Sequence, residues 1–317
     1  MPRTRKRVLA IILAVLAALA FTGTTSPVGA VVTNDAGGQA TDPILWYNST
    51  YGSGGIGTID TNNNHVTLRT YPTGSFATNW THVTTAGNRI LWYNSTNGSG
   101  GIGTIDTNNN HVTLRTYPTG SFATNWTHVT ATGNRILWYN STNGSGGIGT
   151  IDTNNNHVTL RTYPTGSFAT NWTHVTATGN RILWYNSTNG SGGIGTIDTN
   201  NNHVTLRTYP TGSFATNWTH VTATGNRILW YNSTNGSGGI GTIDTNNNHV
   251  TLRTYPTGSF ATNWTHVTTA GNRILWYNST NGSGGIGTID TNNNHVTLRT
   301  YPTGSFATNW THVTTAS

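Results

Sequence analysis

The sequence holds no cysteine, no glutamate, and no lysine beyond Lys6. Without cysteine there is no disulfide staple and no thiolate nucleophile, so stability must come from packing, which a chain of this size can supply. Without glutamate and lysine, long helices lose the residues on which they normally draw. Charge of either sign is scarce, at 7% of residues. The formal excess of +7 is concentrated at one end, because Arg3, Arg5, Lys6 and Arg7 leave only eleven Arg against eight Asp in the rest of the chain. So small a surplus, evenly spread, makes no basic stripe and excludes nucleic-acid binding on electrostatic grounds. What is abundant is Gly, Thr, Asn, Trp and Tyr. β-Branched and aromatic residues fit a pleated surface, and Gly and Asn supply its turns. The composition predicts an all-β fold.

The one long hydrophobic run, Val8 to Phe21, follows the basic segment Arg3 to Arg7 and precedes a polar stretch ending in Val28-Gly29-Ala30. This tripartite form is that of a cleavable signal peptide over residues 1–30, with cleavage after Ala30. A membrane anchor is the rival reading, but the run of 14 residues falls short of the ~20 that span a bilayer. The expected product is therefore secreted, with no membrane association after cleavage. Residues 31–41 read as a flexible lead-in.

From Asp42 onward the chain repeats. Trp46, Trp92, Trp138, Trp184, Trp230 and Trp276 are spaced by 46, as are Trp80, Trp126, Trp172, Trp218, Trp264 and Trp310. Six repeats result: 42–87, 88–133, 134–179, 180–225, 226–271 and 272–317. They differ at few places: Tyr51 where the others have Asn, Asp42-Pro43 where the others have Asn-Arg, and a Thr/Ala exchange before the glycine. Each repeat offers four strand-like segments bounded by turn residues. In the second these are Arg89–Ser95, Gly101–Asp106, His111–Tyr117 and Trp126–Thr130. Within the third, Val112, Leu114 and Thr116 alternate with His111, Thr113, Arg115 and Tyr117.

Four short antiparallel strands in about 46 residues make one propeller blade, and six repeats predict a six-bladed β-propeller. Helical solenoids need a 3.6-residue period that is absent; leucine-rich repeats need more leucine; a parallel β-helix remains the nearest rival. The favoured register places WTHVT innermost, followed outward by ILWYNS, GIGTID and HVTLRTY, with blades that begin at ILWYNS as the alternative. In the favoured register the C-terminal strand joins the N-terminal strands in one sheet, closing the ring and removing an open edge. A monomer is expected, although blades so alike leave closure between chains open.

The run ILWYNSTNGSGG, then GTID, then HVTLRTYPTGSFATNW resembles the repeats of secreted bacterial propellers of the tachylectin-like and FG-GAP-like kind, over residues 42–317. Tachylectin-like relatives bind sugars at repeated sites, which the resemblance implies here. FG-GAP repeats carry an Asp-rich calcium loop; the corresponding link, Thr85-Ala86-Gly87-Asn88-Arg89, has no carboxylate, so calcium is not expected there.

The residues themselves offer little catalytic chemistry. Asp60, Asp106, Asp152, Asp198, Asp244 and Asp290 occur once per repeat, and identical surroundings cannot differentiate an acid from a base. Ser75 and Ser99 lie in no nucleophile elbow. No catalytic residues, metal ligands or cofactors are expected. Asp106-Thr107-Asn108-Asn109-Asn110 loosely matches the start of a calcium loop, but His111 replaces the glycine and the distal Glu is missing, so a hairpin turn is the better reading. His82 and its copies read as hydrogen-bonded between blades, and His65 and its copies as solvent-facing. Trp46 and Trp80 read as core, Trp80 with a possible exposed face, while Gly54, Gly55 and Gly57 leave room for a ring of the next blade. Arg69 is expected to pair with Asp60 across its hairpin.

One rim combines the links Asn94–Gly101 and Pro118–Asn125 with nearby aromatics. Tyr117, Phe122 and Trp126 could supply an apolar face, and Asn97, Ser99 and Asn125 the polar groups, six times over. On this ground the chain is expected to be a non-catalytic, multivalent, lectin-like module for glycans or cell-surface polysaccharide. An extracellular structural or protein-interaction propeller is the alternative. The Asn48 and Asn79 sequons are not expected to be glycosylated, because the signal peptide looks bacterial.

Overall fold

A computed structural model describes residues 42–315, which form 24 strands in six four-stranded sheets. The signal peptide and lead-in lie outside the described residues. Blade 1 contains β1 (Ile44–Asn48), β2 (Ser53–Ile59) and β3 (His65–Tyr71). Blade 2 contains β4 (His82–Ala86), β5 (Arg89–Tyr93), β6 (Gly100–Ile105) and β7 (His111–Tyr117). Blade 3 opens with β8 (His128–Thr132) and β9 (Arg135–Tyr139), and the pattern continues to β24 (His312–Thr315). The inner strand of blade 1 is β24, paired antiparallel with β1 from Ile44 opposite Thr315 to Tyr47 opposite His312. The favoured register is thus the observed one: the protein is a six-bladed β-propeller closed within one chain. Inner strands touch in a complete circuit, β24 meeting β4 as β4 meets β8.

The second strand of each blade carries the core. β1 is buried on both faces, which is why ILWY reads as an unbroken apolar run rather than an alternation. Leu45 and Tyr47 face blade 2, packing with Ile90 and Trp92. Ile44 and Trp46 face blade 6, packing with Leu275 and Tyr277. Period-2 geometry sends successive residues to opposite neighbours, so one strand supplies half of two interfaces. Trp92 stands edge-on to Tyr47 at 5.1 Å and stacks on Phe76 at 5.4 Å between ring centres. The closing interface repeats this: Trp46 meets Tyr277 at 5.1 Å and Phe306 at 5.5 Å. Each fully buried tyrosine donates its hydroxyl to a connector carbonyl, as Tyr93 does to Ala123 at 2.8 Å, and burial holds its phenol up at about 12.

Glycine makes the wedge possible. A Cβ at Gly100 would lie 2.5 Å from the Phe122 ring and 2.9 Å from the Trp92 carbonyl oxygen, so no side chain fits at that position.

Polar bonds stitch the same seams. The Nε2 of His82 donates to the Thr127 carbonyl at 3.2 Å, and the series continues around the inner ring until His312 reaches Thr81 at 3.2 Å. The backbone N–H of His111 donates to the Tyr71 hydroxyl of the preceding blade at 2.7 Å.

Three expectations are corrected here. The alternation in the outer strand fails because a bulge leaves Leu114 without a partner, with Arg115 opposite Ile102 and Thr113 opposite Gly103. His111, Leu114 and Tyr117 consequently share partial burial. His65 and its copies are not solvent-facing: the Nε2 is buried without a hydrogen-bond partner, against Gly57 and edge-on to Trp46 at 5.3 Å. Arg69 does not pair within its own hairpin; its charge acts on Asp106 of the next blade, and its Nη2 donates to Asn108 O at 3.3 Å.

Buried imidazoles without an acceptor must stay neutral. Burial lowers His65, His111, His157, His203, His249 and His295 from 6.5 to about 4. A depressed folded value means that the unfolded chain binds more protons, so stability is complete above about pH 6.5 and declines as the pH falls toward 4. Each histidine contributes about 3 kcal/mol to that loss. We expect a melting temperature that is level from pH 8 to 7 and drops steeply between pH 6 and 4. In His111→Phe the drop should be shallower. Thermal unfolding across this range checks it, and a flat profile would refute it.

Candidate functional site

The two rims present different notches between blades. On the rim of the long connectors, one notch of about 650 Å³ is lined by His82 and Ser95 of blade 2, by Asn125, Trp126 and Thr127 of the connector, and by Asn140, Thr142 and Asn143 of blade 3. Asn125 is exposed at φ 68° and its N–H donates to Ser95 O at 2.8 Å. Trp126 is half-buried and tilted against Trp138 at 6.4 Å.

The other expected site residues serve the fold. Phe122 stacks on Trp138 at 5.5 Å and meets Tyr117 and His157 edge-on at 5.0 Å each. The Tyr117 hydroxyl accepts the backbone N–H of His157 at 2.7 Å. Asn97 caps its own turn, its Oδ1 accepting the Ser99 N–H at 2.9 Å, while Ser99 O accepts the Asn94 N–H at 3.0 Å. Asn125 and Trp126 therefore share a notch, whereas Tyr117 and Phe122 sit within an inter-blade aromatic cluster and offer no free platform.

The opposite rim holds the charged groups. Between blades 3 and 4 a notch of about 440 Å³ is lined by Arg135, Asn180, Asp198 and Thr199, among others. Between blades 4 and 5 its counterpart, about 660 Å³, has Arg181, Asn226, Asp244 and Thr245. Arg135 opens the second strand of its blade and reaches across the seam, its Nε donating to Asn201 Oδ1 and its Nη1 to Asn134 Oδ1, both at 2.5 Å. These two bonds fix the plane of the guanidinium at the seam. Asp198 turns the hairpin, its Oδ1 accepting the Asn202 N–H at 2.6 Å and its Oδ2 the Asn202 side-chain amide at 3.0 Å. These bonds, side chain first, hold its carboxyl below the usual range, so it is ionised at neutral pH.

Arg89, Arg135, Arg181, Arg227 and Arg273 make the equivalent reach to Asn155, Asn201, Asn247, Asn293 and Asn63. Blade 1 has Pro43 at that position, so five notches carry the guanidinium. Sequence reasoning passed over these arginines as ordinary strand residues. The signal was present in their recurrence beside Asn, but only the closed ring sets each one against the next blade's Asp. Among the described residues no cluster of three or more metal-ligating side chains occurs, and no helix is long and apolar enough to cross a membrane.

No family model matches the chain, and no curated protein matches it. Solved structures do resemble it. A candidate 6-phosphogluconolactonase of Bacteroides fragilis aligns with TM-score 0.55 and 11% identity over 87% of this chain and 98% of that one. The periplasmic gluconolactonase of Pseudomonas aeruginosa aligns with TM-score 0.54 and 11% identity over 87% and 99%. A Lactobacillus plantarum protein gives TM-score 0.53 and 14% identity over 82% of each chain. At such identities the likeness shows the fold.

The expectation of a non-catalytic lectin-like module is corrected on these findings. Two of these propellers are named as gluconolactonases, and of the three rings expected to face sugar, Phe122 packs against Trp138 and His157 and Tyr117 against Phe122, which leaves Trp126 alone in a notch. The tachylectin-like and FG-GAP-like resemblance finds no support from a family model.

If Phe122 is a wedge, Phe122→Ala should cost about 3 kcal/mol and lower the melting temperature. A variant as stable as the parent in chemical denaturation would show the ring to be dispensable to packing.

Proposed function

We propose that this propeller is a multisite receptor for a small hydroxy-carboxylate or its lactone, held in the notches where an Arg of one blade meets an Asp of the next. One observation carries the reading: a guanidinium and an ionised carboxylate line the same notch. A guanidinium is suited to a carbonyl or carboxylate oxygen, to which it donates a charge-assisted bond. The carboxylate, with Asn180 and Thr199 beside it, supplies acceptors and donors for hydroxyl groups. Neither group alone selects such a ligand; together they match one that carries an acyl oxygen next to hydroxyls. The shared fold with propellers named for gluconolactone hydrolysis adds weight to this ligand class.

The notches are open and the ligand small, so each site is weak, with a dissociation constant on the order of 1 mM. Isothermal titration with gluconate is expected to give about four equivalent sites, at Arg89, Arg135, Arg181 and Arg227, because the Arg273 notch carries Asp42 in place of Asn. Arg135→Ala should remove one of them without affecting the rest. Absence of binding, or a stoichiometry untouched by the substitution, would dispose of the reading.

Residues 1–30 have the form of an export signal, and we place the ring outside the cytoplasm. Protein recovered from culture medium should begin at Val31; recovery only from cells with residues 1–30 intact would contradict that placement.

A further inference from the structure

The repeats are so alike that their few differences stand out, and two of them fall in one notch. Where blade 6 meets blade 1, the notch is lined by Asp42, Ile59, Asp60 and Thr61 of blade 1 and by Ala270, Asn272 and Arg273 of blade 6. Position for position this is the notch between blades 3 and 4, with Asp42 in the place of Asn180, Asp60 of Asp198 and Arg273 of Arg135. At about 180 Å³ it is smaller than its counterparts of about 440 and 660 Å³.

The two carboxylates are not equivalent. Asp60 is braced like every hairpin Asp, its Oδ1 accepting the N–H groups of Asn62 and Asn64 at 2.9 and 2.7 Å, and its Oδ2 the Asn64 amide at 3.1 Å. Burial pushes its carboxyl up, but those bonds and the charge of Arg299 outweigh it and leave it below the ordinary value. Asp42 projects over Gly271, so close that a Cβ there would lie 2.7 Å from its Oδ2. Burial raises it above the ordinary value. Two acids in one site with oppositely shifted values divide the labour between a base and a fixed charge. The objection that identical repeats cannot differentiate their carboxylates holds for the other blades and fails here.

We infer that the closing notch is a hydrolytic site for a lactone, with Asp42 as general base and Arg273 as the donor to the acyl oxygen. The inference rests on the ligand class proposed above and adds turnover at one notch. The Asp42 carboxylate takes a proton from water as the water oxygen bonds to the acyl carbon. Arg273, whose Nε is tied to Asn63 Oδ1 at 2.5 Å and whose Nη1 is tied to Asn272 Oδ1, donates from Nη2 to the oxygen that gains negative charge. Collapse breaks the ring C–O bond, and the leaving oxygen takes the proton back from Asp42. One water and one lactone give one hydroxy acid, whose carboxyl proton passes to solvent and whose carboxylate is left against Arg273. Asp60 stays ionised throughout and accepts from substrate hydroxyls. A base with a raised value is better matched to neutral pH than the hairpin carboxylates of the other notches.

The test is Asp42→Asn, which gives blade 1 the residue that the other five repeats already carry and so is expected to fold. Hydrolysis of δ-gluconolactone, followed by proton release in a pH-stat above the spontaneous rate, should fall by about 100-fold or more. The parent's rate should decline on acidification as Asp42 protonates, and the residual rate of the variant should lack that decline. Gluconate titration of both proteins separates the two levels of the account. Binding that persists in parent and variant while only the parent turns over supports the inference. Binding without turnover in the parent, or equal turnover in the variant, overturns the inference and leaves the receptor reading standing. Neither binding nor turnover in the parent removes both.

Discussion

The contact on which the rest depends is a tryptophan of one blade held between a tyrosine and a phenylalanine of the blade before it. Trp92 sits edge-on to Tyr47 and stacked on Phe76, and the same trio recurs at the closing seam as Trp46, Tyr277 and Phe306. Aromatic rings bury large area and prefer these two geometries over a face-to-face sandwich. The wedge explains why the neighbouring strand is glycine-rich, why the outer histidine is trapped with a bare nitrogen, and why Phe122 is unavailable to a ligand. A buried polar atom without a partner carries a desolvation cost, tolerated here because the imidazole remains neutral.

Much of the architecture was legible in the sequence because the 46-residue period fixes what is repeated, while the choice between the two registers is settled by the strand pairing. The repeats run from an ILWYN segment to an HVTT segment, and β24 pairs with β1 to complete the first blade. The period conceals which copy of a residue is touched. His82 reaches Thr127 and Arg135 reaches Asn201, separations of 45 and 66 residues, and a periodic sequence makes these indistinguishable from contacts within one repeat. Asp60 and Asp106 are equally good partners for Arg69 on the sequence alone, and the ring selects Asp106. The bulge at Leu114 is a second blind spot, because an extra residue in a strand leaves no mark in an alternating pattern until its partner strand is known.

Near-identity also shapes where function can reside. Four notches built from the same residues repeat one weak set of contacts, whereas a reaction needs groups with unequal environments. Asp42 and Pro43 break the repetition at the seam where the chain closes. Pro43 takes the guanidinium from one notch, and Asp42 adds a second carboxylate to its neighbour. Asp42 keeps the shape of the Asn it replaces and changes its charge.

The account stands on the sixth seam being equal to the other five, so that the ring has neither a first nor a last blade. Amide hydrogen exchange reports this directly, because locally frayed strands exchange through openings far cheaper than global unfolding. Amides of β24 and β1 should be protected within about tenfold of those of β8 and β9. Exchange in the closing sheet more than about 100-fold faster than in blade 3 would mean that the ring is open at its ends, and would contradict the account.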